Sequence, residues 1–495
     1  MHPPPAETGF TMQTGILHAG TVLDTEGWLL ANLSGLSFHE TSTGWTVMAV
    51  SAGEGGLTRL SLDAGTGALS MLDQIALDTF GLHGLVETAG GAVLLDRYDT
   101  PRLAGTSGST LQAAPLPGSV TRVEALASLD LADGTHWVAW SVPGQPGLGL
   151  AHMSAGGAVL SSTWVADDGQ SFLGDVRAID LGLDAQGRVQ VVAGSGRDSG
   201  VSVLRETPEG GFAVVQDLAP SGSFSHYQIS TLERVETEAG TFVLAGASMS
   251  GSISVFAMAE DGTLAQTDHL FDTRDTRFGG VDQIAVEVVS GRILVAAGGA
   301  DRGVTLFELD TMGTLHHLAT VVDDATLALD DLSGLELLPA DSTGEALLVT
   351  GAARDSGISV LRLDLEALQP QDTTLPRLSD MRADPVIADM PMMAPAPMRF
   401  AEAPKVAPTG DAGPVATGGD TPDATPADPS GGLAFLFEAQ GEDLFDFVIS
   451  RNTMPEPVML SMGAESASST PAESETAVEP DTTADTPPAD ELDFA

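Results

Sequence analysis

The stretch VVAGSGRDSGVSVL at 191–204 returns almost unchanged as LVTGAARDSGISVL at 348–361. Apolar alternation, the glycine after the first run, the Arg-Asp-Ser-Gly turn and the second alternation recur in order, so the chain is built from repeats. Further copies read FVLAGASMSGSISVFAM at 242–258, ILVAAGGADRGVTLFEL at 293–309 and WTVMAVSAGEGGLTRLSL at 45–62. Each is a pair of alternating strands joined by a Gly/Ser/Asp turn, the pattern of a β-hairpin.

A short apolar strand precedes each hairpin, and a Gly-containing turn with a fourth strand follows, as in AEDGTLAQTDHLFDT at 259–273. Four antiparallel strands in about fifty residues is the size of a propeller blade. Inner strands start near Leu33, Leu82, Val123, Val176, Ile229, Val281 and Leu332, which gives seven blades. A β-sandwich does not repeat one unit seven times, and a solenoid uses shorter periods.

The last unit ends at ISVLRLDL, 358–365, one strand short, while TGILHAGTVLDT at 14–25 reads like the fourth strand of other units. Donating that N-terminal strand to the last blade would close the ring and remove its exposed edges. The expected fold is therefore an all-β, seven-bladed β-propeller over 14–368, closed by an N-terminal strand behind a flexible 1–13. A largely disordered acidic C-terminal tail is expected to follow.

Composition divides the chain near residue 370, where Val, Leu and Gly give way to Pro, Ala, Thr and acids. Residues 369–430 read as a Pro/Ala-rich disordered linker. The segment 431–452, GGLAFLFEAQGEDLFDFVISRN, is a short apolar island suited to a partner or to docking on its own domain. Residues 453–495 form an acidic tail ending in Leu492, Asp493, Phe494 and Ala495.

A net charge of −49 leaves no basic patch for phosphates or anionic lipid, so nucleic acid is not an expected partner. With no cysteine, disulfides, thiolate nucleophiles and Cys-ligated metal sites are excluded. No apolar run is long enough for a membrane span, and the first residues lack the basic and apolar segments of a signal peptide.

The hairpins and the inner-strand phrase at Asp331 to Leu335 and Asn32 to Leu36 resemble lactonase-type seven-bladed propellers. They are similar also to propeller modules of secreted haemolysin-type calcium-binding proteins of marine bacteria, although the nonapeptide calcium repeats of that class are absent. The resemblance implies a lactone hydrolase or lactonizing isomerase working in the channel, or an extracellular binding module. The tail resembles uncleaved signals of type I secretion, which implies export by that machinery and an extracellular location. A plain acidic tail on a cytoplasmic interaction scaffold is the alternative.

Aligned on their apolar positions, the inner strands place Ser34, His83, Glu124, Arg177, Ser230, Asp282 and Ser333 at one depth of the channel. His83, Glu124 and Arg177 would supply a general base, a carboxylate and an anion clamp to a catalytic site. Ser34, Ser230, Asp282 and Ser333 complete a polar ring, which a propeller channel also carries simply because it is wet. Asp198, Asp301 and Asp355 in the hairpin turns, with Asp167, Asp168, Asp323 and Asp324 on the same face, could hold Ca²⁺ if they converge. Asp beside Gly is equally ordinary turn chemistry. No cofactor is required by any motif, and the expected partner is an extracellular ligand or surface polymer. His316 and His317, adjacent in one strand, should point to opposite faces and make a poor metal pair.

Overall fold

The fold is described here from a computed structural model. It covers residues 14–377 except 25–26, 78–80, 89–90, 97–100, 105–110, 114–115, 118–119, 121, 156, 220–227, 341–343 and 372–374. The expectations for 1–13, 431–452 and 453–495 lie outside these residues.

Alternating, β-branched sequence with glycine turns produces seven antiparallel sheets of four strands each. The protein is an all-β, seven-bladed propeller, as the repeat implied. Six inner strands begin at the residues read from sequence: Leu33, Leu82, Val176, Ile229, Val281 and Leu332. In blade 3 the regular strand runs Leu126–Asp130, later than Val123. The lead-in still belongs to the sheet, because the Glu124 N–H donates to the Ser141 carbonyl and the Ser141 N–H to that of Ala125.

Blade 7 is completed by the N-terminal strand Ile16–Leu23, paired antiparallel with Gly357–Asp364. The ring therefore closes by hydrogen bonds between the two ends of the repeat array, with Ile16 only 1% exposed in the junction of blades 6 and 7.

Apolar side chains on both faces of each sheet gather into seven clusters, one for each pair of neighbouring blades. The Ser-Gly-Leu phrase of the inner strands serves this packing. A Cβ on Gly35 would lie 2.8 Å from the Leu85 backbone nitrogen, and one on Gly334 would lie 2.6 Å from Leu36. Glycine there lets one blade's leucine seat on the next blade's backbone.

Described residues continue past 368 and pack on the propeller. The Gln371 N–H donates to the His317 carbonyl at 2.7 Å, and Leu375 is buried between blades 5 and 6. Arg377 pairs with the buried Asp268, donates to the Leu315 carbonyl and bridges to Leu270. This short strap was missed because it lies inside the Pro-rich change of composition.

Candidate functional site: the mouth of the propeller channel

The channel mouth is shaped by a backbone device repeated from blade to blade. Asn32, Asp175, Gln228 and Asp331, each just before an inner strand, take φ of 51°, 81°, 64° and 65°. Non-glycine residues occupy this left-handed region at a cost of about 1–3 kcal/mol unless their surroundings hold them there. Here the hairpin of the same blade holds them: the N–H groups of Ala52, Gly196, Ser248 and Ala353 donate to their carbonyls at 2.8–3.1 Å.

The next device is a β-bulge. In six inner strands the pairing skips one residue, so Ser34, His83, Arg177, Ser230, Asp282 and Ser333 are each the extra, unpaired position. A bulge re-aims its side chain away from the regular pleat. All seven ring residues read from sequence, Glu124 included, line one cavity of about 290 Å³. It adjoins a second of about 440 Å³ that shares Ser34, His83, Asp282, Gln283 and Ser333 and adds Asn32 and Asp331.

The ring is not uniform. The Ser230 hydroxyl donates to the Val281 carbonyl at 2.5 Å, and Ser333 reaches the Gly351 carbonyl at 3.4 Å. Arg177 Nε donates to Asp175 at 3.1 Å. In contrast, Ser34 Oγ, both ring nitrogens of His83 and Asp282 Oδ1 are buried with no hydrogen-bond partner among the described residues. These four atoms belong to blades 1, 2 and 6, on the arc that also carries Asp331 and Ser333 of blade 7. Burial, with the Asp331 charge nearby, pushes the Asp282 carboxyl up to about 7.

Three positions beyond the ring lies an acidic layer that sequence reasoning missed: Asp180, Glu233 and Glu336 of blades 4, 5 and 7. Burial raises Asp180 to about 7, partly offset by Arg234, whose guanidinium donates to the Leu183 carbonyl at 2.8 Å. Burial also holds Glu233 well above the usual carboxylate range, and the charges of Glu336 and Asp180 add to it. The signal was faint because the other blades place Ser37, Val86, Ala127 and Ala285 at this register.

The expected calcium ligands Asp198, Asp301 and Asp355 belong to hairpins of three different blades, and the structure does not gather them. Each instead meets the junction with the preceding blade. Asp198 and Asp167 both approach Gly174, Asp301 faces Asp272, and Asp355 faces Asp323. Among the described residues, one acidic trio has ligand atoms within 4.8 Å: Asp323, Asp355 and Asp330, the last unremarked in the sequence. Arg302 pairs with Asp323 at 2.9 Å, Arg354 pairs with Asp330 at 2.7 Å, and the Leu329 and Asp330 N–H groups donate to Asp355. Asp168 and Asp324 accept from their own turns, the ordinary role of Asp there. His316 is half exposed against Asp310 while its neighbour His317 is buried, so the two do point apart.

No family model matches this chain, and no curated protein does. Three solved structures illustrate the likeness of fold. BBS1N in complex with ARL6DN is 10% identical with a TM-score of 0.49, over 72% of this chain and 99% of that one. The computationally designed Ika8 protein is 16% identical with a TM-score of 0.43, over 67% and 96%. A putative 6-phosphogluconolactonase from Bacteroides uniformis is 15% identical with a TM-score of 0.43, over 59% and 85%. No haemolysin-type or calcium-binding family stands among these findings. At such identities the likeness concerns shape, and no activity is carried over from it.

Proposed function

We propose that the protein is a binding module that holds a small polar ligand at the channel mouth, on the arc of blades 6, 7, 1 and 2. The observation that carries this reading is the set of buried atoms on Ser34, His83 and Asp282 that have no partner among the described residues, all facing one cavity. An unsatisfied buried polar group costs about 1–3 kcal/mol. Arg177, Ser230 and Ser333 of blades 4, 5 and 7 meet that demand internally at the same register, whereas Ser34, His83 and Asp282 of blades 1, 2 and 6 do not and are left for an outside partner.

The working setting in this proposal is extracellular, with residues 453–495 serving a type I export route. Expression of the full chain and of a chain ending at 452, compared between cells and medium, tests that part. Binding is tested by a thermal-shift screen of small polar solutes against the wild-type protein and two variants that fill the mouth, Ser34→Phe and Ser333→Tyr. Solutes that stabilise only the wild type are expected; stabilisation that survives in both variants would refute the site.

A hydrolase of lactones is a second reading, supported by His83, Glu124 and Arg177 lining one cavity. Against it, no carboxylate orients the His83 ring among the described residues, and Arg177 is already occupied by Asp175. Turnover of glucono-δ-lactone above the buffer rate, lost in Glu124→Gln, would favour catalysis over binding.

A further inference from the structure

We propose that the ligand of this mouth carries a primary ammonium group on a small hydroxylated skeleton. The inference rests on reading the mouth as a binding site and adds the chemical class of what it holds.

Charge narrows the class first. Asp282 and Asp331 line the mouth cavity, and among the described residues no Lys or Arg does. Arg177, the one cation of the ring, belongs to the neighbouring cavity and is held by Asp175. Arg354 touches Asp331 only at 3.8 Å, with 62% of its side chain exposed. Further in, Asp180, Glu233 and Glu336 add three carboxyls on a chain whose formal charge is −49. A cation entering here is drawn to Asp331 and to the ionised form of Asp282, whereas an anion finds no Lys or Arg among the described residues that line the mouth cavity.

Hydrogen bonding narrows it further. Ser34 Oγ and the His83 ring offer both donor and acceptor capacity, which hydroxyl groups satisfy, and Asp282 Oδ1 calls for a donor. Among the described residues the mouth lining contains no Phe, Tyr or Trp, so no cage that favours quaternary ammonium through cation–π contacts is formed by them. A primary ammonium, with its own N–H donors, fits the carboxylate end. A cavity of about 440 Å³ admits a compound of about a dozen non-hydrogen atoms, the size of a six-carbon polyol, with room for water.

Proton linkage gives the same proposal a second signature. Asp282 sits among Asp331 on the lead-in to blade 7, His83 across from blade 2 and Gln283 beside it. With its carboxyl raised to about 7, a bound cation favours its ionised form, so binding should release a proton near neutrality and tighten as pH rises from 6 to 8.

The test uses three probes on one six-carbon skeleton: D-glucamine, D-glucitol and D-gluconate, titrated calorimetrically into the full chain. Glucamine is expected to bind at least tenfold more tightly than the neutral and anionic probes. Asp282→Asn should weaken it at least tenfold and abolish the proton release, with a melting temperature equal to or above wild type. Glucitol binding equally well, or gluconate binding best, with either lost in Ser34→Phe, would overturn the ammonium class while leaving the site intact. If none of the three binds but the solute screen yields compounds excluded by Ser34→Phe, the class is again wrong and the site stands. If none binds and no solute is excluded, both fall.

Discussion

Replacing Asp282 by asparagine should stabilise the protein, and more so at high pH. The carboxyl is lifted from 3.8 in the unfolded chain to about 7 in the fold, by burial first and by Asp331 second. Below 3.8 both states are protonated and the group is neutral in the balance. As pH rises, the unfolded chain ionises first, so stability falls by about 1.4 kcal/mol per pH unit until the folded carboxyl ionises near 7. The penalty grows by about 2 kcal/mol between pH 5.5 and pH 8.5, and contact with channel water makes this an upper figure. Asparagine fills the same space without the charge. For a propeller of this size the difference corresponds to about 2–3 °C in melting temperature. The assay is thermal unfolding of wild type and variant at both pH values. A gain that is equal at the two, or a loss at pH 8.5, would refute the burial and repulsion assigned to Asp282.

Ile16→Ala, in the strand that closes the ring, should cost about 3 kcal/mol in urea unfolding, whereas a change below 1 kcal/mol would show that closure does not depend on that strand. Arg377→Ala leaves the buried Asp268 carboxylate without its cation, and a loss of about 2 kcal/mol is expected; unchanged stability would mean the strap is dispensable. Chelation by EDTA should leave the melting temperature unchanged, because Arg302 and Arg354 already balance Asp323 and Asp330. A fall of several degrees that calcium restores would instead place a cation in that trio.

The blade count and the closing strand were legible because each rests on period-two alternation repeated at a fixed spacing, which sequence displays directly. The ring at the channel mouth was legible by register alone. Its physical basis, a bulge in six of the inner strands, was not, since a bulge is a slip in pairing with another strand and leaves no mark in its own residues. The same limit hid the difference between Ser230 and Ser34: identical residues at identical register, one satisfied by a neighbouring blade's carbonyl and the other not. Asp330 escaped notice because its role depends on Arg302 and Arg354, one of them from the preceding blade. Sequence places the acids of the turns on one face but does not say which of them meet: Asp198, Asp301 and Asp355 stand in hairpins of three blades, while Asp355 lies beside Asp323 and Asp330.

The proposed function requires that Ser34, His83 and Asp282 share one bound partner. The measurement that meets it most directly is a high-resolution crystal structure of the protein grown with the solute that stabilises it most in the screen. One molecule is expected at the mouth, within hydrogen-bonding distance of Ser34 Oγ, a His83 ring nitrogen and Asp282 Oδ1. Solvent alone at those three groups, with the solute bound elsewhere, would contradict it.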